Sequence, residues 1–459
     1  CLDTTGRQQS DGTGTLAAFV PSPFLFCLNC RVSYESTRGN DYTRLATLDR
    51  EGRSSAVSII SQSVVRSLRK VSDLNEDARK LLTFVDNRQD ASLQAGHFND
   101  FIQIVQMRGA LYHAAKAHNG IDHLNLAEAV VTALGTAFEE YATSPGAKFA
   151  ARREAEAAFR DLIEFRLYSD IQPGRRITLP NLEQTGLLRL EYKDLAEICA
   201  EESVWASAHQ PLKEARPGLR QELCQIVLDE LRRALAIDVA CLSEEGFERL
   251  KRQSRQHLRG LWTISSRELL PIVGTAYARS GSGRERSVDK VFLSGRSALG
   301  TYLRKPQRFP DHPDKLTTDD AQRIISDILR LLAEVGLLDV VIPPEQGGPG
   351  YRLKSSALRW TAGDGQHAAA DPLRMTVDAD QGGRVNVFFR DLYSQVSDDL
   401  AGLRATEHTA QVTAQDREAR EREFRDGSLP LLFCSPTMEL GVDIASLNAV
   451  GLRNVPPTP

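Results

Sequence analysis

The chain has 459 residues, 41% of them hydrophobic and 26% charged, with a formal net charge of −4. That composition is ordinary for globular protein, and the length leaves room for roughly two or three domains. A net acidic chain does not bind nucleic acid by bulk charge, so any such surface has to be a local basic patch. No run of roughly 18 or more apolar residues occurs, so the sequence predicts no transmembrane helix and no membrane partner. No basic-then-apolar leader follows Cys1. Seven cysteines in a chain this long do not suggest a disulfide framework, and a reducing, cytoplasmic setting is expected.

Residues 1–53 read as a linker or the remnant of a zinc ribbon. Cys27 and Cys30 in FLFCLNCRVSY form a C-x-x-C pair, a spacing that lets two thiolates share one Zn2+ as half of a ribbon. Four ligands are needed and no second pair lies nearby; Cys1 is a candidate third. A buried non-metal pair or a redox pair is the competing reading. From 54 to 118 the pattern alternates helix, strand, helix. Leu81, Leu82, Phe84 and Val85 make a short apolar run, as in a strand of a parallel sheet. Asp86 and Asn87 make the turn, and a helix with Ala91, Leu93 and Ala95 runs on from Asp90.

Between 119 and 383 the sequence becomes mostly helical and rich in Arg, Glu, Ala and Leu. AEAAFRDLIEFRLYSD and RQELCQIVLDELRRALAID carry apolar residues at helical spacing. ARSGSGRERS (278–287) reads as a flexible loop. Within this block, 317–360 predicts a helix capped by Thr318 ahead of Asp319 and Asp320, with Ile324, Ile328, Leu331 and Val335 on one face. Gly336 ends it, and LLDVVI, GGPG and YRLK follow as strand, turn and strand. That is the order of the last half of a winged helix, and equally of an αβ-hairpin with no particular function. The basic spots 251–259, 304–308 and 352–356 could touch phosphates or simply be solvated. Cys199, Cys224 and Cys241 lie in helical patterns and read as small core residues.

The first pattern returns over 384–459. VNVFFRDLY is apolar, REAREREF is a charged helix, and LPLLFC is another short strand. The fold class expected is therefore α/β: a parallel sheet interrupted by a large, mostly α-helical insertion that contains the winged-helix-like segment. Such an insertion is tolerated because loop-closure cost grows slowly with length. After the strand Leu431–Phe433, Cys434 ends the run, and Ser435, Pro436 and Thr437 start a helical turn at the strand's carboxyl end. In parallel sheets ligands bind there, and a helix start suits a phosphate. Gly441 lets the backbone approach a ligand, and Asp443 is a carboxylate near that crevice, able to accept from sugar hydroxyls. The same features fit a βα turn of any doubly wound sheet.

CSPTMELGVDI resembles motif V of superfamily 2 helicases, with Cys434, Ser435, Glu439, Gly441 and Asp443 at the matching positions. EHTAQVTAQDREAREREFRDG resembles the family's stretch before it, through His408, Arg417, Glu421, Phe424 and Gly427. LLTFVDNRQDA resembles motif IV, through Phe84, Asn87, Arg88 and Ala91. The likeness covers the second RecA-like domain alone, in two parts, with motif IV in 54–118 and motif V in 384–459. Large bacterial DEAD/DEAH-box helicases with an inserted helical region, of the DISARM-type and DUF1998-associated kinds, are the nearest group.

The resemblance implies an ATP-dependent helicase or translocase with ATP and Mg2+ as cofactors, acting on nucleic acid, DNA in the first instance, in phage defence or DNA repair. It implies ATP-ribose contact for Asp443, with Gly441 allowing the approach, and strand-backbone contacts for Asn87, Arg88, Ser435 and Thr437. Arg88 has an alternative role in an ion pair with Asp86 or Asp90. His408 either couples ATP to nucleic acid or caps a strand end, and Glu439 orients the motif V loop. No Walker A loop, no D-E-x-H acid pair and no Q-R-x-G-R-x-G-R motif is present. The chain is therefore expected to be cut at both ends and inactive alone. A first RecA-like domain of the same polypeptide would hold the Mg2+, and a DUF1998-type protein is a candidate partner. The competing reading is a non-catalytic nucleic-acid or protein interaction module on a RecA-like fold.

Overall fold

The computed structural model describes residues 14–16, 51–85, 87–172, 179–266, 268–281, 287–310, 312, 315–346, 348–369, 371–373, 383–435 and 447–453. In chain order, α1 (Glu51–Lys70) leads into β1 (Leu81–Phe84) and α2 (Arg88–Ala117). Next come β2 (Ile121–Asp122), α3 (Leu126–Leu134), α4 (Phe149–Asp170), β3 (Leu188–Tyr192) and α5 (Pro217–Arg233). Then follow β4 (Ile237–Asp238), α6 (Glu244–His257), β5 (Thr275–Tyr277), β6 (Lys290–Phe292) and α7 (Thr318–Glu334). After these come β7 (Leu338–Ile342), β8 (Gly350–Lys354), β9 (Leu358–Ala362), β10 (His367–Ala368) and β11 (Gly383–Arg384). The last elements are β12 (Ala405–His408), α8 (Ala414–Arg425), β13 (Leu431–Cys434) and β14 (Val450–Leu452), with shorter helical turns between many of them.

The sheet that matters most is parallel throughout, in the order β12-β13-β1-β14. β1 pairs Leu81 with Leu431 and Phe84 with Cys434 on one side, and Phe84 with Leu452 on the other. So β1 is a central strand between two strands that come after residue 404. Its LLTF and the LLFC of β13 are apolar on both faces, as central parallel strands require. The edge strands differ. β12 (ATEH) has no apolar run and was not predicted; β14 leaves Val450 47% and Leu452 58% exposed.

Helix α2 is the spine. Asn87 caps it, its side chain accepting from the Asp90 amide at 2.9 Å. Ala91, Ala95, Phe98 and Ile102 recur at helical spacing and are buried. Leu93 falls off that spacing and is 63% exposed. Phe98 meets Phe433 of β13 edge-to-face at 6.4 Å. Asn99 holds β12 through both the amide and the carbonyl of Ala405, at 2.8 and 2.9 Å. Further along, Arg108 is buried and forks onto Asp170 at 2.8 and 2.7 Å. It also donates to the Pro180 carbonyl at 2.8 Å and the Tyr393 hydroxyl at 2.7 Å. One buried guanidinium thus joins α2, the end of α4 and the π turn at Leu392–Val396.

The stretch from 119 to 383 holds the helices expected from AEAAFRDLIEFRLYSD and RQELCQIVLDELRRALAID, in α4 and α5. It also holds β2-β9-β3, an antiparallel sheet that the helical reading passed over, and a mixed sheet of β4, β5, β6, β7 and β8, of which only β7 and β8 were expected. The signal was there in LRLEY, whose residues alternate between buried and exposed in β3. Over 317–360 the expected order of helix, strand, turn and strand is present, β7 and β8 being antiparallel. The cap is Thr317, one residue before the one predicted. Its side chain takes the Asp320 amide while the Asp320 carboxylate takes the Thr317 amide, a capping box. Ile324, Ile328 and Leu331 are buried, and Gly336 ends the helix at a φ of +85°.

Cys199, Cys224 and Cys241 are buried in the main core, as expected of small apolar residues. Among the described residues no helix is long and apolar enough to cross a membrane.

Candidate functional site

Because all four strands run the same way, their carboxyl ends share one edge of the sheet. His408 lies beside Cys434, Cys434 beside Phe84, and Phe84 beside Leu452. The chain leaving each strand is tied to its neighbour: the Val85 amide donates to the Cys434 carbonyl at 2.9 Å, and the Arg453 amide to the Phe84 carbonyl at 3.1 Å. Val85, Asn87, Arg88, His408, Thr409, Ser435 and Arg453 therefore meet along this edge. In open parallel sheets, ligands bind there.

Asn87 and Arg88 are both exposed at the start of α2. Asn87 is engaged in capping, with its amide nitrogen also on the Asp90 carboxylate at 3.1 Å. Asp90 takes a second partner, Arg453, at 3.3 Å. Among the described residues Arg88 has no ion pair, so the pairing with Asp90 considered for it falls to Arg453 instead. Arg453 is the cation that sequence reading missed: it follows a weak edge strand, and only the register places it beside motif IV. Ser435 is buried at 1% exposure.

His408 is fully buried, and its Nε2 lies 2.6 Å from Glu421 Oε1 on α8. An ionised carboxylate only accepts, so Nε2–H is the donor. That leaves Nδ1 buried and without a partner among the described residues. Glu421 is held in place by the rest of its helix. Phe424 fills a small core with Leu82, Leu429, Leu432 and Cys434. Gly427 turns the chain at a φ of +82°, where a side chain would press on the backbone of Asp77. Arg420 donates to the Glu407 carbonyl at 2.6 Å, fixing α8 to β12 a second time. The spacing of His408, Glu421, Phe424 and Gly427 in the sequence thus corresponds to one packed unit behind the sheet edge. Burial pushes the Cys434 thiol up to about 12, with the Glu421 charge adding to the shift, so it sits there as a neutral apolar group.

Thr437, Glu439, Gly441 and Asp443 lie outside the described residues, as do Cys1, Cys27 and Cys30. Among the described residues no group of three or more His, Cys, Asp or Glu is placed to hold a metal. One cation in each basic spot has an acidic partner: Lys251 pairs with Glu248 at 3.2 Å, Arg308 with Glu222 at 2.8 Å and Lys354 with Asp339 at 3.2 Å.

Residues 370–459 match the helicase conserved C-terminal domain, which supports a superfamily 2 helicase C-terminal domain of RecA-like α/β fold over that stretch. The match takes in β12, α8, β13 and β14. β1 and α2, which carry the motif IV residues, lie outside it yet supply a central strand of the same sheet and the helix packed on it. A segment of 72 residues is 44% identical to the Druantia protein DruE of Escherichia coli (strain UMEA 4076-1). That segment is 13% of this chain and 4% of the relative. No solved structure matches the chain.

Proposed function

We propose that the chain forms the second motor domain of an ATP-dependent nucleic-acid helicase or translocase, its RecA-like sheet interrupted between α2 and β12 by the large intervening region. The observation that carries this reading is the strand order. It brings Asn87 and Arg88 to the same sheet edge as Ser435 and the start of the motif V segment, although they are far apart in sequence. In this reading Arg88 and the main chain around Ser435 and Thr437 grip the phosphate backbone of the tracked strand, and such contacts are sequence-independent. His408 and Glu421 set the end of β12 against the start of the motif V segment, so that a change there is felt across the edge. On the resemblance, Gly441 and Asp443 would meet the ATP ribose. The Walker A loop and the acid pair that hold the phosphates and Mg2+ are not in this sequence, and a first motor domain would supply them.

The winged-helix-like unit is assigned to packing rather than to groove reading. The outer face of α7 is already engaged: Asp327 takes the His209 amide at 2.8 Å, Asp320 the His209 ring at 3.0 Å, and Arg330 reaches Ser207 at 3.1 Å. DNA as the substrate, a role in phage defence and a DUF1998-type partner are proposed from the resemblance, and the likeness to the Druantia protein supports the defence setting.

The test is ATP hydrolysis by the gene product extended in both directions, with and without single-stranded DNA, beside single-stranded DNA binding by this chain. Hydrolysis stimulated by DNA, together with salt-sensitive binding weakened by Arg88→Ala, is the expected result. An extended protein that neither hydrolyses ATP nor binds single strands would leave the RecA-like fold as an interaction module.

A further inference from the structure

Strand β3 is the edge of its sheet, since the order is β2-β9-β3. Its pairing with β9 fixes which main-chain groups are used. Gly363 donates to the Leu187 carbonyl at 2.8 Å, and Lys193 donates to the Ala357 carbonyl at 3.0 Å. With a regular register between, the odd-numbered residues bond to β9 and the even-numbered ones turn their N–H and C=O outward. Leu188 spends its outward amide on Leu182, at 3.2 Å. Among the described residues the outward amides and carbonyls of Leu190 and Tyr192 have no backbone partner. As whole residues Leu190 and Tyr192 are 5% and 7% exposed, and both line the groove on this side.

That edge borders a groove of about 870 Å³, lined on the other side by Gln221, Gln225 and Ile226 of α5. The Tyr192 hydroxyl donates to Asp229 at 2.7 Å, and Asp229 and Glu183 hold the buried Arg232. The polar side chains of the groove floor are thus hydrogen-bonded to one another. The cations around the groove are also engaged. Arg189 pairs with Asp364 at 3.7 Å, Lys193 with Asp122 at 3.2 Å, and Arg359 donates to the Asn119 carbonyl at 2.9 Å. Three exposed acids on it, Glu191, Asp194 and Glu197, have no ion pair among the described residues.

We infer that this groove docks an extended, basic peptide segment of a partner protein, which adds as a strand to the free edge of β3. An open edge with a groove beside it is what strand addition requires: main-chain hydrogen bonds give affinity, and the flanking charges choose the partner. The unpaired acids select positive side chains and repel a nucleic-acid backbone. The site is therefore separate from the sheet edge proposed for the tracked strand, and it offers the intervening region a function as a partner-binding platform.

The test uses the full chain and a fluorescein-labelled octapeptide alternating lysine with threonine or valine, read by anisotropy. Saturable binding is expected, lost when every second backbone nitrogen of the peptide is methylated in one frame but not in the other. Glu197→Lys with Glu191→Gln should weaken it about tenfold, by removing two favourable charges at the site. Glutamine is used at 191 because Arg359 lies opposite on β9. Hydrogen exchange at Leu190 and Tyr192 should slow when the peptide binds. The inference is overturned if the peptide does not saturate, if both methylated frames bind as well as the parent, if the double variant binds unchanged, or if single-stranded DNA competes. Single-stranded DNA binding by the double variant should equal that of the parent chain, which keeps this outcome distinct from that of the motor reading.

Discussion

His408 and Glu421 lie 2.6 Å apart, joining the end of a sheet strand to the middle of the charged helix behind it. The imidazole is fully buried, while the Glu421 side chain is 20% exposed. Replacing His408 with alanine strands the Glu421 carboxylate beside a cavity and is expected to cost about 1–3 kcal/mol. Glu421→Gln, which keeps an acceptor for Nε2–H, should cost less. Urea denaturation of both variants checks the order; equal losses would mean that the hydrogen bond is not what holds the two elements.

Arg108 makes a stronger claim. It is buried and forked onto Asp170, and removal leaves a carboxylate without its partner in a mostly apolar setting. Arg108→Ala should cost about 3–5 kcal/mol. Arg108→Lys keeps the charge but not the planar fork, so it should recover only part of that. A lysine variant as stable as the parent in thermal unfolding would show that charge alone, and not the geometry of Asp170, Pro180 and Tyr393, carries the junction.

Two glycines of α2 should respond in opposite directions. A Cβ at Gly109 would lie 2.1 Å from the Ser397 hydroxyl oxygen and 2.9 Å from the Tyr393 carbonyl oxygen. A Cβ at Gly96 meets nothing within 4 Å. Gly109→Ala is therefore expected to destabilise by about 1–3 kcal/mol through overpacking. Gly96→Ala should stabilise by about 0.5–1 kcal/mol, because alanine loses less freedom in a helix. Calorimetry on the pair decides it.

The cap of α7 carries a pH signature. Hydrogen bonds from the Thr317 side chain and amide, with a smaller contribution from His209, hold the Asp320 carboxyl down at about 2. A depressed carboxyl pKa contributes stability that is fully present above the unfolded value near 3.8 and is lost as pH falls towards 2. Thr317→Ala should cost about 1 kcal/mol at neutral pH. The gap between variant and parent should narrow between pH 4 and about 2. A gap that is constant across that range would mean that Asp320 is not the acid partner of the cap.

The neutral, buried Cys434 should be inert. With its thiol pushed up to about 12, it should resist a charged thiol reagent at pH 8 in the native chain and react once urea opens the sheet. Rapid native labelling at Cys434 would place it at an exposed sheet edge.

Much of the fold was legible because local chemistry carries it. The runs LLTF and LLFC are too short and too apolar to be anything but central strands, and the structure puts them side by side. Ile324, Ile328 and Leu331 recur at helical spacing and are buried together. The weak strands were not legible. Nothing in ATEH or VGL marks a strand, because an edge strand needs only a neighbour to bond with. LRLEY was absorbed into a helical reading, although its alternation was there to be counted.

The candidate site divides the same way. The spacing of His408, Glu421, Phe424 and Gly427, and the start of α2 at Asn87, could be read along the chain because each belongs to a strand end and a helix close to it in sequence; the motif V residues after Ser435 lie outside the described residues. What the sequence by itself determined was therefore an α/β sheet whose last part matches the helicase C-terminal domain, in which these pieces exist. That Arg453 sits on Asp90, that Arg108 joins α2 to Asp170 and Tyr393, and that β3 ends its sheet beside a groove were decided only by tertiary structure. These are contacts between residues far apart in sequence, and they depend on strand register and helix packing, which no local spacing encodes.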